Sequence, residues 1–246
     1  MKSLRQYWNN RFDKYGHTGW KIPVIYKYDQ KLRFKSFTRI LNNLKYNTNK
    51  KVNALDIGCG SGDFIRILND YNMNITGIDI SEKAVKHVQN IFKNNNSVKV
   101  YNQDIINLQN LEKKFDLIIS ITVLQHVLNH NEKVAVLKVL NKIIESSGYL
   151  ILLESIEKGK EKGKEFYINH KTKQEWVSLF ESTNFKVVSI KSYPYYGLKL
   201  LNFINNILKI NKISKNKVPS DNLNDISTKN NSKIFVFFIK CILLIT

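Results

Sequence analysis

The chain has 246 residues, of which 43% are hydrophobic, and it carries 39 Lys and Arg against 20 Asp and Glu. This composition suffices for a sizeable core and excludes disorder throughout the chain. The two cysteines, Cys59 and Cys241, exclude a disulfide framework and a four-thiolate zinc site, and the first residues lack the apolar stretch of a signal peptide. The longest apolar run, 234–246, is interrupted by Lys240 and is shorter than the roughly 20 residues of a spanning helix. We therefore predict a cytoplasmic protein without an integral membrane segment.

Charge is distributed unevenly along the chain. Residues 1–51 carry 13 basic and 2 acidic side chains, residues 52–185 carry 16 of each, and residues 186–246 carry 10 and 2. Strongly basic segments attract anionic substrates, nucleic acids or anionic membranes. A solvated basic surface, inflated by an Asn-, Lys- and Ile-rich composition, remains the alternative explanation.

Residues 1–48 predict polar, aromatic-rich helices that form an N-terminal cap, with a break at 15–19. Among the aromatic side chains of this segment, Trp8, Trp20 and Tyr26 are candidates for a lid that stacks on a base or a sugar. Ordinary core packing explains each of them equally well.

From Val52 onward, short apolar runs alternate with amphipathic stretches. They predict strands at 52–57, 74–79, 98–101, 115–120 and 149–153, and helices at 64–71, 82–92, 132–144 and 173–182. Strands separated by helices form right-handed βαβ units around a parallel sheet. Two further strands are predicted at 185–190 and 234–239, with a basic insertion at 198–231 between them. The prediction is thus a single α/β domain whose core occupies residues 49–246.

The segment from Asp56 to Gly62 joins the first strand to a helix through Gly58, Gly60 and Gly62. Glycine allows backbone to approach a ligand closely and leaves N–H groups free at the start of a helix. A nicotinamide or flavin fingerprint needs its third glycine five positions after the first, and here it comes at four. The spacing therefore argues against a dinucleotide of that kind.

Two more acids follow successive strands. Asp79 ends the second strand about 20 residues beyond the glycines, where a carboxylate can accept both hydroxyls of a ribose. Asp104 follows the third strand. An isolated acid at such a position is often a helix cap. Because the carboxyl ends of parallel strands converge on one crevice, three acids in this pattern indicate a ligand site.

Residues 52–185 resemble the class I S-adenosylmethionine-dependent methyltransferases, through the glycine motif, Asp79, Asp104 and the fourth-strand segment 115–120. The resemblance implies a Rossmann-like sheet of seven strands, mostly parallel with an antiparallel last strand. It also implies a site for S-adenosyl-L-methionine and its product S-adenosyl-L-homocysteine, formed by Asp56, Gly58, Cys59, Gly60, Gly62, Asp79, Ile80, Asp104, Ile105 and Ser120.

Methyl transfer is an in-line displacement, so the protein must hold a nucleophile about 3–3.5 Å from the methyl group. A neutral hydroxyl also requires a base, and His126 is the first candidate because histidine titrates near neutrality. Glu154 and His170 are reserve candidates. A structural hydrogen bond is the alternative role for His126, and an acceptor that is already anionic needs no base. His126 and His130 lack the Glu of a His-Glu-x-x-His zinc site, so we expect no metal.

The fourth strand is followed by Ser120–Val123, which does not resemble the Asp/Asn-Pro-Pro-aromatic motif of enzymes that methylate the amino groups of adenine or glutamine. We therefore expect O-methylation of a small anionic metabolite: a phosphorylated compound, a phosphoramidate or a sugar nucleotide. Segments 7–12 and 16–20 resemble enzymes of bacterial capsule and surface-polysaccharide biosynthesis. Alternatives are an RNA methyltransferase and a catalytically inactive binding protein with the same fold.

Overall fold

The structure, a computed structural model, describes residues 3–44, 50–110, 113–156, 167–191, 234–235 and 241–242. Its centre is a parallel sheet of five strands in the order β3-β2-β1-β4-β5. These strands are β1 (Asn53–Ile57), β2 (Asn74–Asp79), β3 (Val98–Asn102), β4 (Phe115–Ile121) and β5 (Ile144–Leu153).

Two helices precede the sheet and four lie between or after its strands: α1 (Leu4–Tyr15), α2 (Pro23–Asn43), α3 (Asp63–Asp70), α4 (Glu82–Ile91), α5 (His130–Ile143) and α6 (Lys173–Glu181). Short 3₁₀ helices occupy Ile105–Asn110 and Leu124–His126. The helix starts follow local sequence signals, because Ser81 and Asn129 cap α4 and α5 through their side chains, and Thr172 with Glu175 forms a capping box on α6.

The strand order determines where a ligand can bind. β1 pairs with β2 on one side and with β4 on the other, so the chain connections diverge at this point. Helices leave the sheet in opposite directions from such a switch point and open a crevice at the carboxyl ends of the strands. Ile57, the last residue of β1, is in register with Ile78 and Ser120.

Apolar residues cover both faces of the sheet. Leu55 and Ile57 belong to a buried cluster that includes Trp176 of α6 and residues of α5. Ala54 belongs to a second cluster, which includes Phe37 of α2 and residues of α3 and α4. Successive strand residues face opposite sides, so β1 is covered on both faces as a parallel strand requires.

The five central strands and four of the helices confirm the predicted α/β fold, with ends that differ by a few residues. β5 begins at Ile144 rather than at Tyr149, across a register shift beside Phe115. None of the helices in the described part of the chain is long and apolar enough to cross a bilayer.

Seven strands in one sheet are not confirmed. The strand predicted at 185–190 is observed only over the two residues of β7 (Lys186–Val187), which pairs antiparallel with β9 (Cys241–Ile242). The strand predicted at 234–239 is described only at β8 (Ile234–Phe235), which pairs antiparallel with β6 (Ser155–Ile156). The basic insertion at 198–231 lies outside the described residues, so its role stays a prediction.

Candidate active site

A pocket of about 330 Å³ lies at the carboxyl ends of the central strands. Its walls come from the segments that follow β1, β2, β3 and β4 and from the N-terminal helices. The residues that line it are Leu4, Trp8, Thr18, Ile57, Gly58, Ile78, Asp79, Ile80, Gln103, Asp104, Ile105, Ile106, Ile121, Thr122, Val123, His126, Val127, Leu128, Asn129 and Glu132.

The glycine turn lies between β1 and α3. Gly58, Gly60 and Gly62 have φ values of 67°, 51° and 78°, in the left-handed region that glycine adopts without strain. The N–H groups of Gly58 and Cys59 donate to Ile78 O at 2.8 and 3.0 Å, which fastens the turn to β2. A side chain on Gly58 would meet Val123, so the turn and the segment after β4 are in close contact.

Asp79 connects the glycine turn to α4. Its Oδ2 accepts from Gly60 N at 2.9 Å, and its Oδ1 accepts from Ser81 N at 2.8 Å. Burial raises the pKa of this carboxyl, and the two N–H groups act in the opposite direction. A carboxylate has about four acceptor positions. Two therefore remain for a ligand in the pocket that Asp79 lines.

Asp56 and Ser120 lie behind the pocket wall, near the ends of β1 and β4. Asp56 Oδ2 and Ser120 Oγ are buried and have no hydrogen-bond partner among the described residues. Burial, and then the nearby charge of Asp79, raises the pKa of Asp56 well above its usual range. Buried polar atoms are nearly always paired. Two orphaned oxygens beside the glycine turn thus fit a ligand with polar groups there.

Aliphatic side chains line the pocket beside Asp104. Ile80 and Ile105 line it together with Asp104, whose Oδ1 accepts from Ile106 N at 3.1 Å. Two aliphatic walls with an acid at the edge suit a flat heteroaromatic ring that carries a donor group.

His126 lines the pocket at the end of the 3₁₀ turn. Its Nδ1 lies 2.7 Å from Tyr167 O. Because a carbonyl only accepts, Nδ1 carries the proton and Nε2 keeps its lone pair. The Gln125 amide donates weakly to that lone pair, with its Nε2 3.4 Å from His126 Nε2. Burial lowers the pKa of His126 to about 4, so the ring is neutral at pH 7.

The reserve candidates Glu154 and His170 do not line the pocket. Glu154 is 1% exposed and accepts hydrogen bonds from the backbone of residues 123–125. His170 is buried, with its Nδ1 3.2 Å from Ser155 Oγ. Both side chains therefore lie behind the wall, where they contact protein groups.

Of the three aromatic lid candidates, Trp8 lines the pocket and packs edge-to-face on His126 with ring centroids 4.8 Å apart. Trp20 instead donates to Asp29 Oδ2 at 3.0 Å, and Tyr26 donates to Asp63 Oδ2 at 3.0 Å. Neither of these two lines the pocket.

Several residues of the site were missed by the sequence analysis. Thr18, in the loop between α1 and α2, lines the pocket, and its Oγ1 lies 3.2 Å from the position of a Cβ on Gly60. Arg11 holds this loop by donating to Thr18 O at 3.0 Å and to Gly19 O. The break at 15–19 was the one signal that pointed to a loop here.

The chain is similar to proteins of a known family. A family described as "Methyltransferase domain" matches residues 48–213. This match spans more than half of the chain, and the chain belongs to that family. The domain is that of an S-adenosylmethionine-dependent methyltransferase with S-adenosylmethionine as its cofactor.

The names of two similar proteins state different substrates. A Rickettsia typhi ubiquinone biosynthesis O-methyltransferase is 26% identical over 132 residues, which are 52% of this chain and 53% of that protein. A Plasmodium falciparum phosphoethanolamine N-methyltransferase is 29% identical over 183 residues, 71% of this chain and 68% of that protein. The first match thus spans about half of the relative's length.

A solved Haemonchus contortus phosphoethanolamine N-methyltransferase, in complex with phosphomonomethylethanolamine and S-adenosylhomocysteine, superposes with a TM-score of 0.69. The match covers 98% of this chain and 60% of that one at 13% identity, so it supports the fold alone.

The residues on the pocket wall and directly behind it fit the cofactor. The orphaned oxygens of Asp56 and Ser120 and the free acceptor positions of Asp79 suit its amino-acid and ribose groups, and Ile80, Asp104 and Ile105 suit its adenine. The cofactor supplies the methyl group as an electrophilic carbon on a sulfonium. No cluster of three metal-ligating side chains occurs in the described part of the chain.

Proposed function

We propose that this chain transfers the methyl group of S-adenosylmethionine to an oxygen of a small anionic metabolite. The observation that carries the proposal is the geometry of His126. Its protonated Nδ1 faces Tyr167 O at 2.7 Å, and the ring lines the same pocket as Gly58 and Asp79. A neutral imidazole held in one tautomer beside the cofactor site is suited to receive the proton of an attacking hydroxyl.

The low pKa of His126 also bears on the acceptor. Burial is the largest cause of the lowered pKa, and the charge of Arg11 adds to it. A base is most effective when its pKa lies near the working pH. An anionic group bound beside the ring would raise the pKa from about 4 toward neutrality, because negative charge favours the imidazolium. An anionic substrate would therefore strengthen the base that acts on it.

Positive charge near the pocket supports the same class of substrate. Arg11 lies one helical turn from Trp8 on α1, and residues 1–51 as a whole carry 13 basic against 2 acidic side chains. Clefts with positive potential concentrate anions and raise association rates. The phosphorylated substrate named for the Plasmodium relative supports a phosphorylated compound, phosphoramidate or sugar nucleotide here.

Two N-terminal segments indicate a biological setting for the reaction. The N-terminal segments 7–12 and 16–20 resemble enzymes of surface-polysaccharide biosynthesis, and a sugar nucleotide or a phosphoramidate of such a pathway has the required charge. Trp8, on the pocket wall, is suited to stack on a base or a sugar ring.

The test is transfer of labelled methyl from S-adenosylmethionine into a cell extract that is fractionated by size and divided between nuclease and phosphatase treatment. We expect label in a low-mass fraction whose charge changes with phosphatase. Label in a nuclease-sensitive polymer would overturn the substrate class and favour RNA. The control is His126→Gln, which should bind the cofactor and transfer far less label.

A further inference from the structure

The backbone of the turn that carries His126 is bound by the side chain of Glu154. β4 ends at Ile121, and the 3₁₀ turn starts at Leu124, so the first N–H groups of the turn have no partner within it. Glu154 Oε1 accepts from Val123 N at 3.2 Å and from Leu124 N at 2.8 Å. Its Oε2 accepts from Gln125 N at 3.1 Å. One buried carboxylate thus satisfies three successive backbone donors.

Hydrogen bonds of Gln125 connect this turn to the His126 ring. The side-chain Oε1 of Gln125 accepts from Ser155 N at 3.1 Å, which fixes the orientation of the amide. Its Nε2 then faces His126 Nε2 at 3.4 Å. The backbone of Gln125 also accepts from Asn169 N at 2.7 Å. Gln125, the residue next to the proposed base, is therefore held by three residues from two separate segments, 154–155 and 169.

Lys133 supplies a counter-charge from α5. The side chain is completely buried, and its Nζ lies 5.0 Å from the centre of the Trp176 ring. Within the described residues, this Nζ has no hydrogen-bond partner. Burial lowers the pKa of Lys133, and the charge of Glu154 acts in the opposite direction. Burial raises the pKa of Glu154, while the backbone N–H groups and Lys133 favour its ionised form.

Two buried charges of opposite sign are a weak source of stability, because desolvation offsets their attraction. The role of the Glu154 carboxylate lies instead in the three backbone N–H groups that it accepts from. Uncharged glutamine cannot replace it, because its amide has one acceptor oxygen, and its NH₂ group would face one of the three N–H donors.

We infer that Glu154, with Lys133 as its counter-charge, is a positioning residue that holds the Val123–His126 turn and thereby sets the tautomer and orientation of the His126 ring. Glu154 itself lies behind the wall and does not touch the pocket. The inference deepens the proposed function, since the positioning matters for catalysis only if His126 is the base.

The test compares the full-length wild type with Glu154→Gln, with Glu154→Gln/Lys133→Met, and with the matched control Glu181→Gln, which removes an exposed carboxylate at the end of α6. The double variant removes both buried charges, so it remains informative if the single variant fails to fold. Samples labelled with ¹⁵N in histidine report the tautomer and the pH titration of each ring by NMR. His126→Gln identifies the signals of His126 among the five histidines.

We expect the wild type and Glu181→Gln to show His126 as a single Nδ1–H tautomer with the same titration. In Glu154→Gln/Lys133→Met, we expect a mixture of tautomers and a shifted titration. Labelled methyl transfer should fall by about 100-fold, while the affinity for S-adenosylhomocysteine stays within about threefold. Wild-type His126 signals in the double variant would overturn the inference.

The two proposals fail in different ways. If the His126 signals change in the double variant but His126→Gln transfers methyl at the wild-type rate, the positioning holds and the proposed base is wrong. If His126→Gln loses methyl transfer and the double variant keeps the wild-type His126 signals, the role of His126 as the base is supported and the positioning role of Glu154 is wrong.

Discussion

Gly58 and Val123 lie so close that a Cβ on the glycine would be 2.3 Å from Val123 Cγ2. The glycine turn after β1 and the segment after β4 therefore pack directly against each other. Gly58 also has a φ of 67°, which other residues adopt only with strain. Two independent constraints thus require glycine at this position, one of backbone conformation and one of space.

Gly58→Ala should destabilise the fold more than Gly16→Ala, which is a matched control. Gly16 has nearly the same φ of 68°, but a Cβ there meets nothing within 4 Å. Conformational strain costs about 1–2 kcal/mol at either position, and the clash with Val123 adds about 1–3 kcal/mol. Urea unfolding of the two variants measures the difference. Equal losses of unfolding free energy would contradict the contact between the two segments.

Asp79→Ala should weaken cofactor binding strongly, because it removes the proposed acceptor for the ribose and releases Gly60 N and Ser81 N. Hydrogen bonds to a charged group contribute about 1.5–3 kcal/mol each, so the loss should be about 10-fold to 100-fold in affinity. Calorimetric titration with S-adenosylhomocysteine provides the measurement. Asp70→Ala, an exposed acid at the end of α3, is the control. Unchanged affinity in Asp79→Ala would refute the ribose assignment.

His126→Gln should lower methyl transfer by about 100-fold or more if the imidazole acts as a general base. Cofactor affinity should change little, because the polar cofactor partners assigned above are other residues. The control is His130→Gln, which replaces an exposed histidine at the start of α5. Near-normal transfer by His126→Gln would indicate an acceptor that is already ionised when it binds.

His126 should also make stability depend on pH. Burial lowers its pKa in the folded protein from 6.5 to about 4. Between these two values the unfolded chain binds the proton more readily, so the free energy of unfolding falls as the pH falls through this window. A pKa unit corresponds to about 1.4 kcal/mol, so the contribution of this one histidine is at most about 3 kcal/mol.

Chemical denaturation of wild type and His126→Gln from pH 4 to pH 7 isolates that contribution, since other groups titrate in both proteins. The difference in unfolding free energy between wild type and His126→Gln should become smaller or change sign toward low pH. Parallel curves would mean that the ring titrates alike in folded and unfolded chains.

The elements and residues that were predictable from the sequence are those whose signal is local. β2 was predicted at 74–79 and observed there, because β-branched and apolar residues and a terminal acid occur together in one short segment. The position of Asp79 beside the glycine turn was predictable because the carboxyl ends of parallel strands converge on one crevice. The break between α1 and α2 was visible because Gly16 occupies the left-handed cap of α1.

The parts of the site that were missed depend on contacts between distant segments. Glu154 was considered as a catalyst, whereas its carboxylate is bound by the backbone some 30 residues earlier. The hydrogen-bond partner of His126 Nδ1 is the carbonyl of Tyr167. Every residue has a backbone carbonyl, so the sequence does not indicate which one binds the histidine. Thr18 reaches the pocket only because Arg11 holds its loop. Such contacts are specified by tertiary packing, which a spacing rule does not describe.

The wall of the pocket combines two parts of the chain, because Leu4, Trp8 and Thr18 precede the sheet and the remaining residues lie between Ile57 and Glu132. Any ligand that touches both parts adds its binding energy to the docking of the N-terminal helices. The residence time of S-adenosylhomocysteine should then depend on the rate at which those helices open. Turnover would in that case be limited by a conformational change of the N-terminal helices.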